Sequence, residues 1–241
     1  MPHDPPSKEA DLVHNHYLKL IYNHYLIKLV LNGDLIIHSV KDSNYIAYAL
    51  AGRSFIEHVA VWRYYLVEKY APILSSSKGI GFEEALILIK IHKKHLYGTS
   101  FDWGQWLKKD YSGLENDYLA KISDKKKKQY DKESRENAQV NVLTCVQKSA
   151  KILPKIGVYY DMFCDLVHPN FGSNILLFSL SGDNKIVINN QSSQRIGDRL
   201  IEETFRDLFL ITYGQINELT KSHFSMLLGE SLPLYIIKRI R

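Results

Sequence analysis

Cysteine is nearly absent from this chain of 241 residues: Cys145 and Cys164 are its only two. Each sits in an apolar helical pattern, so the expectation is a pair of reduced core thiols and no disulfide framework. Glycine and proline are also sparse, at 13 and 7 residues, which disfavours both a disordered chain and a turn-rich all-β fold. No apolar run reaches membrane-spanning length, because charges interrupt every candidate. The first residues, Met1-Pro-His-Asp-Pro-Pro, lack a cationic start followed by an apolar core, so no signal peptide is expected. These absences point to a soluble, cytoplasmic protein. Phosphate-cradling and nucleophile-elbow motifs are missing as well. Gly79-Ile-Gly81 has no phosphate-binding lysine after it, and nothing matches GxGxxG or GxSxG. His92 and His95 are three apart but lack a further ligand at metal spacing, so neither a metal nor another cofactor is expected.

What is abundant is apolar and aromatic material, 45% hydrophobic residues with 16 tyrosines, enough for a sizeable core. The net charge of +5 is compatible with a nucleic-acid partner without requiring one. The period along most of the chain is helical. A leader over 1–9 is followed by a helix from Asp11 to about Leu31, with Asn32-Gly33 as its stop. A second helix, capped by Asp42 or Ser43, runs to about Tyr70, with Pro72 just beyond its end. Phe82–Leu96 reads as a third, and residues 99–119 as irregular with a short helical turn. A polar linker over 120–136 contains Lys125, Lys126, Lys127 and Lys128, a solvated run that could touch RNA. Helices resume from Asn137 to Leu153 and from Lys155 to Val167. Only at 174–190 does the period change, around Ser181-Gly-Asp-Asn184, which reads as a β-hairpin. A last helix covers Gln194 to Leu228, before a tail over 229–241. The fold class expected is all-α, a helical bundle with one hairpin, in a single domain spanning 1–241.

Two segments place titratable groups where the pattern calls for apolar ones. In the second helix, Arg53 and Glu57 interrupt the apolar stripe of Ile46, Leu50, Ala60 and Tyr64. Being four apart, they can pair. One reading is an ion pair that orients helices; the other is a site arginine, held by a carboxylate, whose planar fork grips phosphate. In the fifth helix, Asp161, Asp165 and His168 align at i, i+4, i+7, and Pro169 ends the helix at His168. The acidic stripe and the Arg–Glu stripe are natural packing partners. A convergence of Arg53, Glu57, Asp165 and His168 is therefore expected.

The segment Arg53-Ser-Phe-Ile-Glu-His58 resembles the Arg-x4–6-His signature of the HEPN superfamily, all-α domains common in bacterial toxins and defence proteins. With Asp165-Leu-Val-His-Pro-Asn170, it is also similar to a less characterised bacterial group with HEPN-like bundles. The resemblance spans roughly residues 40–215. It implies an RNA-directed effector, either a metal-independent endoribonuclease or an inactive relative in a defence or toxin–antitoxin system. It also implies a homodimer and a possible partner protein of such a system; no membrane partner is expected, because no apolar run is long enough to span one. Carried over, Arg53 would stabilise the phosphate and His58 would act as acid or base. The family's residue after the arginine is usually Asn, Asp or His, and here it is Ser54. On a regular helix Arg53 and His58 lie about 140° apart. Either the helix is interrupted, the pair works across two subunits, or His168 is the working histidine. His168 is the expectation taken here. The alternative function is a non-catalytic structural or small-ligand-binding module built on a buried Arg–Glu–Asp–His network.

Overall fold

A computed structural model of the chain describes residues 8–76, 82–97, 103–116, 140–169, 171–176, 179–180, 186–187 and 190–219. Among these the structure is all-α. The elements are α1 (Lys8–Lys41), α2 (Tyr45–Arg63), α3 (Ala71–Ser76), α4 (Phe82–Tyr97), α5 (Trp103–Leu107), α6 (Val142–Ala150), α7 (Pro154–Val167), α8 (Phe171–Ile175) and α9 (Asn190–Leu219). A π-helical segment, Tyr64–Tyr70, joins α2 to α3. Two short strands, β1 (Ser179–Leu180) and β2 (Ile186–Val187), pair antiparallel with Ser179 opposite Val187 and Leu180 opposite Ile186. The residues joining them lie outside the described residues, as do the Lys125–Lys128 run, the 120–136 linker and the 229–241 tail. No described helix is long and apolar enough to cross a membrane.

The residues group into two compact units: residues 1–21 with 77–141, and 22–76 with 142–241. In the first, Leu18, Ala85 and Leu88 are buried, and the fully enclosed His92 ring lies 6.1 Å from that of Tyr17. In the second, α2 is the central helix and packs against α6, α7 and α9. Its buried residues are Tyr48, Ala49, Ala51, Gly52, Phe55, Ile56, Val59, Ala60 and Trp62, more than half its circumference. Gly52 is what lets α7 approach. A Cβ there would lie 2.7 Å from the Phe163 ring, closer than any side chain tolerates. Trp62 stacks on Tyr25 of α1 at 6.0 Å and meets Tyr22 edge-on at 5.9 Å. Toward α9, the Tyr48 hydroxyl and Thr204 Oγ1 bond at 2.7 Å inside the core, and Thr204 in turn donates to the Leu200 carbonyl.

Four boundaries differ from the sequence reading. Asn32-Gly33 does not stop α1, which continues to Lys41. The Asn32 amide donates to the Lys28 carbonyl at 2.8 Å, and Gly33, Ile36 and Ser39 are buried along one face beyond the expected stop, burial that outweighs the roughly 1 kcal/mol helical cost of glycine. The real stop is Ser43, in the left-handed region at φ 51°, where the Asn44 N–H bonds back to the Ser39 carbonyl. Asn44, rather than Asp42 or Ser43, then caps α2 by accepting from the Ala47 N–H at 3.0 Å. Pro72 lies within α3 rather than beyond a terminus. The wider π turn ahead of it, closed by Ala71 N–H to the Leu66 carbonyl, accommodates a residue that cannot donate. Residues 174 and 175, expected to open a strand, instead finish α8.

Candidate functional site

Arg53 and Glu57 stand one turn apart on α2, as their spacing predicts, and Arg53 Nε donates to Glu57 Oε1 at 2.9 Å. Neither is deeply buried: their side chains keep 31% and 24% of their exposure. The third member comes from α7, but it is not one of the acidic residues. Tyr160 donates its hydroxyl to the same Glu57 oxygen at 3.1 Å, and its ring lies under the Arg53 guanidinium at 5.8 Å. Burial, and then the charge of Glu57, push the Tyr160 hydroxyl up to about 12, so it stays protonated and donates. Glu57 thus holds the arginine through Nε while the Tyr160 ring supports the guanidinium from below. Only Nε is engaged; among the described residues no hydrogen bond is made by the two Nη groups.

The expected convergence of Asp165 and His168 on this pair is corrected by the face that α7 presents. Ile156, Tyr160 and Phe163 recur at i, i+4, i+7 and turn inward, so Asp161, Asp165 and His168 point the other way and are exposed. No hydrogen bond or ion pair joins Asp165 or His168 to Arg53 or Glu57 among the described residues. His168 ends α7 in an extended conformation, its N–H bonded to the Cys164 carbonyl. Tyr160 was missed because a tyrosine on an apolar stripe reads as core. The signal was available, since its hydroxyl is the only polar atom on that stripe.

His58 is half-buried on the opposite edge of the outward strip of α2, a strip that carries Leu50, Ser54, Glu57 and Val61. Because α2 is unbroken from Tyr45 to Arg63, Arg53 and His58 of one chain diverge as the regular helix requires. The His58 Nδ1–H donates to the Ser54 carbonyl at 2.6 Å, with Ser54 Oγ at 3.4 Å. That bond fixes the tautomer and leaves Nε2 with its lone pair. Burial first, joined by the nearby Lys28, holds His58 below its ordinary value against the opposing bond to the Ser54 carbonyl and the smaller pull of Glu57, so the neutral ring is favoured. No group of three or more metal-ligating side chains occurs among the described residues. No protein-family model, curated protein or solved structure matches this chain.

Proposed function

We propose that the chain is an RNA-directed protein of the HEPN type, a metal-independent endoribonuclease whose site is completed by a second copy. The observation that carries this reading is the half-spent Arg53 guanidinium. Glu57 and Tyr160 fix its position, while both Nη groups remain available to a backbone phosphate. Arg53 and His58 border the same outward strip of α2 from opposite edges. Face-to-face apposition of two such strips about a two-fold axis running along α2 would bring the Arg53 edge of each protomer against the His58 edge of its partner. There a neutral His58 Nε2 takes the proton from an RNA 2′-OH as that oxygen attacks phosphorus. Arg53 neutralises the charge that grows on the phosphoryl oxygens, and the P–O5′ bond breaks, the 5′ oxygen leaving as a hydroxyl with a proton from water and the RNA ending in a cyclic phosphate. His58 replaces His168 as the favoured histidine because its ring is oriented and held neutral.

The test is incubation of the purified chain with single-stranded RNA in EDTA. Cutting with cyclic phosphate ends is expected, abolished in Arg53→Ala and in His58→Ala with helical content unchanged. If His168→Ala abolishes cutting and His58→Ala does not, the assignment of the histidine is wrong. If RNA is neither cut nor bound, a second reading stands: a structural module in which Glu57 ties α2 to α7. The double acceptance by Glu57 Oε1, from Arg53 and from Tyr160, favours it.

A further inference from the structure

Beside the proposed site lies a second cluster that the arginine chemistry does not use. On α1, Tyr22, Tyr25 and Leu29 face inward, and the Trp62 ring lodged against both tyrosines fixes the register of α1 against α2. With Tyr25 stacked on Trp62, Lys28 stands one turn beyond Tyr25 and His58 one turn before Trp62, so that register sets Lys28, and His24 one turn before it on the same flank of α1, toward the edge of α2 that carries His58. All three are half-buried. His58 has Nδ1 committed to the Ser54 carbonyl, so Nε2 is the atom left for a ligand. The side chains of His24 and Lys28 make no hydrogen bond or ion pair among the described residues.

We infer that His24, Lys28 and His58 form a phosphate-binding seat on the flank of the α1–α2 pair. Three groups able to carry positive charge are gathered from two helices and partly removed from water, and among the described residues no carboxylate bonds to any of the three side chains. Burial depresses all three, and repulsion adds to it at the histidines: His24 feels Lys28 and His58, and His58 feels Lys28. The one carboxylate felt there is Glu57, through its weak pull on His58, and Glu57 already accepts from Arg53 and Tyr160. Such a cluster is frustrated when empty and relieved by an anion bearing several acceptor oxygens. Phosphate fits that description, as a free or terminal group or as a link in an RNA backbone. The seat rests on the packing of α1 against α2 and stands whether or not the chain cuts RNA.

The experiment is a proton NMR titration of the histidine rings of the full chain, in inorganic phosphate and in chloride at matched ionic strength. His24→Gln and His58→Gln assign the signals. In chloride both rings should titrate below their ordinary value. In phosphate both midpoints should rise, because the bound anion favours the imidazolium form. Lys28→Gln should weaken the phosphate response by on the order of tenfold, and Lys28→Arg, which keeps the charge, should retain it. Midpoints that phosphate leaves unmoved, or that move equally in Lys28→Gln, overturn the seat. A single-stranded oligoribonucleotide added to the phosphate complex separates the two sources. Displacement of phosphate identifies the seat as part of an RNA path, and retention identifies it as a site for a small phosphorylated ligand. Cleavage in EDTA is read independently, so the ribonuclease reading can fail while the seat survives, and the reverse.

Discussion

At the scale of the residue, Arg53 is neither a buried charge nor a free one, and its substitution should show it. Glu57 keeps the Tyr160 hydroxyl when the arginine is removed, and at 24% exposure it also reaches water. Arg53→Ala should therefore cost about 1 kcal/mol by urea unfolding, well short of the roughly 3–5 kcal/mol of a stranded buried charge. Arg53→Lys should fold as well as the parent yet bind RNA more weakly, because an ammonium cannot present two parallel donors to a phosphate. The histidines give a pH dependence whose sign is determined. His24 and His58 sit below their ordinary value of 6.5 in the folded chain, so the unfolded chain binds more protons. Their contribution to stability is complete above about pH 6.5 and is lost as the pH falls through the lower folded values. Urea midpoints measured from pH 7 to pH 5 should decline, and replacing both rings by glutamine should flatten that slope.

At the scale of the element, α2 depends on its cap and on its closest contact. Asn44→Ala removes the acceptor of the Ala47 N–H and should cost about 1 kcal/mol. Gly52→Ala puts a methyl group against the Phe163 ring, at a distance that forces α7 outward or the ring aside. The expected cost is about 1–3 kcal/mol. That substitution should also loosen Tyr160, three residues before Phe163, and lower RNA binding without touching Arg53. Equal RNA affinity in Gly52→Ala and the parent would show that Tyr160 does not position the arginine.

At the scale of the whole molecule, the central question is whether two copies meet through α2. A single chain cannot bring Arg53 and His58 together, so the proposed chemistry requires a dimer. Light scattering at micromolar concentration should give twice the mass of the chain. A monomer under conditions where RNA is cut would refute the shared site. Mixing Arg53→Ala with His58→Ala protein offers a sharper check, because a heterodimer retains one intact pair of residues and should recover part of the activity. Circular dichroism should be dominated by helix, in keeping with the described elements.

The period of the apolar residues was enough to place α2, α4 and α7, and the four-residue spacing of Arg53 and Glu57 was enough to predict their bond. Those features are local: they depend on one turn of helix and on side chains that meet within it. Asn32-Gly33 does not stop the helix because glycine's weak helical propensity is a small term, and the burial of Ile36 and Ser39 one and two turns further on outweighs it. The company Arg53 keeps was not legible either. Asp161, Asp165 and His168 form a stripe as regular as that of Ile156, Tyr160 and Phe163, and spacing cannot say which of two stripes faces a neighbour. Packing decides it: burying the apolar stripe removes hydrocarbon from water, whereas burying the acidic one would strand charge. Tyr160 thereby enters the site. The gathering of His24 and Lys28 with His58 has the same origin, since only the seating of Trp62 against Tyr22 and Tyr25 sets that flank of α1 beside that edge of α2.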